Sequence, residues 1–137
     1  MVIQPKETQI EKDDRILNEL ISSRKTDSKI KIKEKLQEIL SNGFEFMGKF
    51  IQADDDSRSY FSEYYIKKDV IPYPVNWRTL DNSYLSLTDS TIIDNLSDAM
   101  MLFYGTIMEE YFLTNDEIDS STTEEEIDIL LNEYISK

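Results

Sequence analysis

The chain has 137 residues, a formal net charge of −13 at pH 7, and neither cysteine nor histidine. Without cysteine there are no disulfides and no thiolate chemistry, and without histidine the usual general base near neutral pH and the commonest metal ligand are both missing. We therefore expect a non-enzymatic protein that uses no cofactor or metal, folded as a single acidic domain over residues 1–137, since one core is usual at this length.

The charge is distributed unevenly along the chain. Residues 1–53 carry ten Lys or Arg against nine Asp or Glu, whereas residues 54–137 carry five against nineteen. Between Arg78 and Lys137 there are fourteen carboxylates and no basic residue. Such a surface repels nucleic acid and anionic membranes, because both are bound largely through Lys and Arg. It attracts basic proteins, and long-range steering speeds that encounter at low salt.

The start of the chain has no apolar signal segment, because charged residues follow from Glu7 to Arg15. No stretch of the sequence has the length and apolar character of a membrane span. We therefore expect a cytoplasmic protein.

Two helices are predicted for the N-terminal third. Apolar residues recur at helical spacing over residues 8–24 and again over residues 28–41, and the first helix should end near Arg24-Lys25. Gly43 follows the second pattern directly and is a common helix stop. The alternation from Lys29 to Lys33 leaves a strand open as the alternative for that segment.

The middle of the chain is predicted to mix helix with extended segments. Residues 44–51 form a dense apolar run that we interpret as a third short helix, with a strand as the alternative. Asp54, Asp55 and Asp56 suit the positive end of a helix dipole, and aromatic residues recur at helical spacing from Tyr60 to Tyr65, so a helix is predicted to begin there. The prolines of residues 70–74 must end it, and residues 72–88 become a connecting segment with a short strand at 84–87.

The C-terminal third carries the clearest helical pattern. Apolar residues at helical spacing run from Thr88-Asp89-Ser90 to Phe112, or about six turns. A polar link over residues 114–121 follows, and Thr123 with Glu126 forms the pattern of a capping box that opens a last helix. The fold class is therefore all-α, or α-dominant with a short extended segment around 70–88, arranged as a single-domain bundle of about five helices.

The cation-free acidic stretch is the main indication of function. A solvated helix face ordinarily mixes Lys with Glu at i, i+4, because such pairs stabilise it. The predicted partner-binding carboxylates are Asp116, Glu117, Asp119, Glu124, Glu125, Glu126 and Asp128. Two alternatives stay open: these groups solvate an outer face, or they are neutralised within the fold or across a homodimer by a basic patch. That patch comprises Arg24, Lys25, Lys29, Lys31, Lys33 and Lys35.

Aromatic residues between positions 60 and 84 are the second candidate contact set. Tyr60, Tyr64 and Trp77 are predicted to contact a partner, because Tyr and Trp dominate binding hot spots. Core packing is the alternative, since a helical aromatic stripe is usually buried.

Together these features predict a protein that neutralises a basic macromolecular partner, either a toxin or a nucleic-acid-binding protein, without binding nucleic acid or membranes itself. The most concrete form is an immunity-type or antitoxin-type inhibitor, or an anti-defence inhibitor, that blocks a nucleic-acid-handling protein by occlusion. A structural subunit of a larger assembly is an alternative.

Two weaker patterns lie in the same third of the chain. Asn115, Glu117, Asp119 and Glu126 have the spacing of calcium ligands in an EF-hand loop, although Ser120 stands where the turn requires glycine. Asp89-Ser90 at a helix start, in an acidic helical chain, resembles the acyl carrier proteins, with Thr91 in place of the family's leucine. This resemblance implies Ser90 as a phosphopantetheine site, which is the alternative cofactor-dependent function.

Overall fold

The computed structural model describes residues 5–137 and is α-dominant, with 67% of these residues in helices. It contains four helices and two small antiparallel hairpins. In chain order the elements are α1 (Gln9–Asn42), β1 (Phe44–Phe46), β2 (Lys49–Ile51), α2 (Asp55–Ile66), β3 (Val75–Arg78), β4 (Tyr84–Leu87), α3 (Ser90–Ser120) and α4 (Glu124–Ile135). The predicted helix-rich class is confirmed, whereas the predicted bundle of about five helices is not.

The break predicted after Arg24-Lys25 is wrong, because α1 runs without interruption through both predicted helices. No glycine or proline lies between residues 9 and 42, and the Thr26 hydroxyl donates to the Ser22 carbonyl at 3.1 Å instead of capping a new helix. Ser28, where the second helix was predicted to begin, is 1% exposed and lies inside α1. The predicted stop is confirmed, since Gly43 follows α1 with a φ of +70° and donates to the Ile39 carbonyl at 3.1 Å.

The helix predicted at 44–51 is wrong, and the alternative strand interpretation is correct. Phe44 pairs with Ile51 and Phe46 with Lys49 across an antiparallel hairpin. Met47 and Gly48 form its turn, with φ values of 51° and 77°. A two-residue turn with both central residues at positive φ has the twist that a hairpin needs. The short apolar run did not distinguish helix from strand. Ile51 is 0% exposed, and its burial in the tertiary structure favours the strand.

The connection at 72–88 holds a second hairpin in which the predicted strand at 84–87 pairs with β3. After it, α3 continues to Ser120, so the polar link predicted at 114–121 is wrong for nearly its whole length. This segment also lacks glycine and proline, and the hydroxyls of Ser120 and Ser121 donate to helix carbonyls one turn earlier, at 2.9 Å each. The last helix begins where the capping-box pattern predicted, with Thr123 as its cap.

The chain divides into two compact units, one formed by residues up to Lys33 with Leu113–Lys137 and the other by Glu34–Phe112. In the first unit the fully buried apolar residues include Ile32, Ile118 and Ile127, which come from α1, α3 and α4. In the second unit a core of eight buried side chains is built from both hairpins, α2 and the first part of α3. None of the helices within residues 5–137 combines the length and apolar character needed to cross a membrane.

Candidate functional site

The seven predicted carboxylates all belong to the first unit, at the junction of α3 and α4. Asp116, Glu117 and Asp119 lie in the last turns of α3, and the other four lie in the first turns of α4. The acidic start of α4 has a local cause, because carboxylates in a first turn face the positive end of the helix dipole. The Thr123 hydroxyl caps the same turn by accepting from the Glu126 backbone N–H at 3.2 Å. The carboxylates of α3 sit at the unfavourable negative end of its dipole, where no basic residue of the helix offsets them.

Three of the seven carboxylates are paired with cations of α1. Arg24 lies 3.6 Å from Glu124 and 3.3 Å from Asp128, and Lys29 forms an ion pair with Asp119. Lys25 donates to the Asp119 carbonyl at 2.8 Å, at the end of α3. The basic patch on α1 therefore neutralises part of the acidic stretch within the first unit.

The other four carboxylates, Asp116, Glu117, Glu125 and Glu126, are exposed and form no ion pair within residues 5–137. Three of these four, all but Glu125, line a cleft of about 490 Å³ on α3 and α4. Ile129, which is 50% exposed, and the half-buried Leu130 add apolar surface to this cleft. We call this feature the acidic cleft. It combines unpaired negative charge with an apolar contact surface.

The predicted aromatic residues belong to the second unit and come together there. Tyr60 and Tyr64 lie on α2, and Trp77 lies on β3. The ring of Trp77 packs edge-on against Tyr64 and Phe61, with centroid distances of 5.7 and 5.9 Å, and is 9% exposed. Tyr60, in contrast, is 63% exposed. Trp77 is thus mainly a core residue, whereas Tyr60 presents its ring to solvent.

Tyr60, Tyr64 and Trp77 line one cavity of about 400 Å³, which we call the aromatic cavity. Its remaining lining was missed in the sequence, and consists of Gln52, Ser57, Asn76, Arg78, Thr79, Leu80 and Asn82. One sequence signal could have predicted part of this lining. Asp81 and Asn82 both favour turns, and a turn at these residues predicts a hairpin whose strands include Arg78 and Tyr84.

The turn between β3 and β4 is tied by hydrogen bonds around Asp81. Its carboxylate accepts from the Ser83 hydroxyl at 2.6 Å, from the Thr79 hydroxyl at 2.6 Å and from the Ser83 backbone N–H at 3.1 Å. These bonds stabilise the ionised form, so they hold the pKa of Asp81 well below its ordinary value. These hydrogen bonds therefore stabilise the turn beside the aromatic cavity.

Ser90 is the first residue of α3, and the cap of that helix is Asp89, whose carboxylate accepts from the Ile92 N–H at 3.1 Å. Helix α3 then continues for 31 residues. The spacing that suggested a calcium loop falls largely inside α3, since residues 115–120 are helical and do not form a ligand loop. No group of three potential metal ligands comes together among residues 5–137.

Comparison with known proteins gives a family. No curated protein and no solved structure matches the chain. Residues 23–131 match the model of the family described as Domain of unknown function (DUF4376), and because this match spans most of the chain, the protein belongs to that family.

Proposed function

We propose that this protein binds a basic protein through the acidic cleft and blocks it by occlusion. The observation that carries the proposal is the set of four exposed carboxylates without ion pairs, three of which border the apolar surface of Ile129 and Leu130. The cations of α1 neutralise only the other three predicted positions, so these four carboxylates remain available to cations of a partner.

The interaction would follow from the chemistry of the cleft. Lys or Arg side chains of the partner pair with Asp116, Glu117 and Glu126 through charge-assisted hydrogen bonds, and Glu125 adds negative potential nearby. An apolar side chain of the partner covers Ile129, which excludes water and strengthens those bonds. The net charge of −13 speeds the encounter with a basic surface at low ionic strength.

A partner with this chemistry is a protein whose Lys and Arg normally hold phosphates. Occupying those cations with carboxylates prevents the partner from binding nucleic acid. The proposal is therefore an immunity-type, antitoxin-type or anti-defence inhibitor that acts in the cytoplasm, without enzymatic activity. The alternative proposal is a homodimer, in which the basic patch of one copy binds the acidic cleft of another.

The experiment is affinity capture of the full chain's partners, followed by reconstitution of each captured basic protein in pure form. Asp116→Asn with Glu117→Gln removes two carboxylates from the cleft. Asp14→Asn with Glu34→Gln is the matched control, because both residues are exposed, form no ion pair in the described residues and lie outside the cleft. Both double variants change the net charge equally.

The expected result is a pure basic partner whose affinity falls steeply between about 50 and 500 mM salt, as expected for a charged interface. The cleft variant should bind that partner at least about tenfold more weakly, and the control variant should bind like the wild type. Equal losses in both variants would mean that only net charge matters, and would refute the cleft. Light scattering that shows a salt-sensitive dimer and no foreign partner would favour self-association.

A further inference from the structure

The aromatic cavity differs from the rest of this acidic protein in its charge. Its lining contains one cation, Arg78, and no carboxylate. The Arg78 guanidinium donates from Nε and Nη2 to the Asn82 side-chain oxygen, at 3.3 and 3.1 Å, and forms no ion pair within residues 5–137. An exposed guanidinium held by a neutral amide keeps its full charge and its planar pair of donors, which suits a phosphate or carboxylate.

Much of the polar lining of the aromatic cavity has no side-chain hydrogen bond within residues 5–137. The side chains of Gln52, Ser57, Asn76, Tyr60 and Tyr64 make no hydrogen bond to other described residues. The two amides offer both donors and acceptors, which is the combination that reads the edge of a nucleobase. Tyr60 is 63% exposed and provides an aromatic face on which a planar ring can stack.

The frame of the aromatic cavity is rigid. Trp77 is fixed edge-on between Phe61 and Tyr64, and the turn that follows β3 is tied by the hydrogen bonds of Asp81. Helix α2, which contributes Ser57, Tyr60 and Tyr64 to the lining, is capped by the Asp54 carboxylate, which accepts from the Ser57 N–H at 3.0 Å. A preformed site avoids the cost of ordering its lining when a ligand binds. The volume of about 400 Å³ lies within the range of about 300–1,000 Å³ usual for small-molecule sites.

We propose that the aromatic cavity binds a single nucleoside monophosphate, with its base stacked on Tyr60 and its phosphate on Arg78. Gln52 and Asn76 contact the base edge. One cation matches one phosphate group, whereas a polynucleotide would need many more and would be repelled by the rest of the chain. This inference does not rest on the acidic cleft, because every residue of the aromatic cavity belongs to the second unit.

The test is an NMR titration of the full chain with AMP, GMP, CMP and UMP in turn, and with adenosine and inorganic phosphate as partial ligands. Trp77 is the only tryptophan, so its indole N–H is a unique reporter of the aromatic cavity. Arg78→Gln and Tyr60→Ala remove the phosphate contact and the stacking face. Lys67→Gln and Tyr65→Ala are matched controls, since both residues are exposed and lie outside this lining.

We expect at least one nucleotide to shift the Trp77 indole signal saturably, and to bind at least about tenfold more tightly than phosphate or adenosine. Arg78→Gln and Tyr60→Ala should each weaken that binding about tenfold, because stacking and charged hydrogen bonds each contribute on that scale. The two controls should bind as the wild type does. The proposal is overturned if no nucleotide shifts the reporter at millimolar concentration, if phosphate binds as well as any nucleotide, or if neither cavity variant alters the affinity.

Discussion

The three glycines of the chain differ in backbone conformation and in the space around them, so replacing each with alanine should change the stability by a different amount. Gly43 has a φ of +70°, and a Cβ built there would lie 1.8 Å from the Ile51 carbonyl oxygen. Gly48 has a φ of +77° but open space around it, and Gly105 lies in α3 with open space and ordinary helical geometry. The three substitutions therefore separate backbone strain, steric overlap and helix propensity.

The expected changes in the free energy of unfolding differ in sign and size. Gly105→Ala should stabilise the protein by about 1 kcal/mol, since alanine is the better helix former. Gly48→Ala should destabilise it by about 1–2 kcal/mol, the cost of a left-handed conformation with a Cβ. Gly43→Ala adds to that cost an overlap with backbone that cannot rotate away, so the total should be about 3–5 kcal/mol.

Urea unfolding followed by Trp77 fluorescence measures all three, because Trp77 and the three glycines lie in the second unit. The dependence of unfolding free energy on urea should be the same in each variant, which is the control for a common unfolding transition. If Gly43→Ala costs no more than Gly48→Ala, the close approach of α1's end to β2 does not constrain the fold, and the reasoning is refuted.

Three further predictions concern charge and capping. The lowered pKa of Asp81 means that its stabilisation is present above the ordinary value of 3.8 and is lost as the pH falls through the lowered value. The β3–β4 turn should therefore stay protected from amide exchange at pH 4, whereas Asp81→Ala, which removes the acceptor oxygen, should lose that protection already at pH 7. Thr123→Ala removes the cap of α4 and should cost about 1 kcal/mol in thermal unfolding, and an unchanged melting temperature would contradict the cap. Arg24→Gln breaks exposed ion pairs and should cost less than about 1 kcal/mol, so a larger loss would show that these pairs do more than surface pairs do.

Local signals in the sequence predicted several features that the structure confirms. Gly43 ends α1 because a residue with positive φ is needed there. The aspartates before residue 57 start α2, with Asp54 as the cap. Thr123 caps α4 as the box pattern predicted. Each of these depends on hydrogen bonds within a few residues, so the information is contained in a short stretch of sequence.

The wrong secondary-structure predictions concern segments in which no local residue pattern distinguished between helix, strand and loop. No glycine or proline interrupts α1 near Ser28 or α3 near Ser120, and polar residues there bond back into their own helices or are buried by tertiary packing. Residues 44–51 form a hairpin because their apolar side chains pack on a core that is formed by distant segments of the chain. Strand β3 was missed for the same reason, since its pairing with β4 is what orders it.

The candidate sites show the same division. The sequence by itself determined the helix-rich class, the end of α1 at Gly43, the starts of α2 and α4, and the long acidic stretch without cations, because these depend on residue types and short spacings. The tertiary structure decided which carboxylates meet Arg24 and Lys29 and which stay unpaired, and it brought Tyr60, Trp77 and Arg78 into one cavity. Ion pairs and cavities join residues that are far apart in the chain, so no local pattern specifies them.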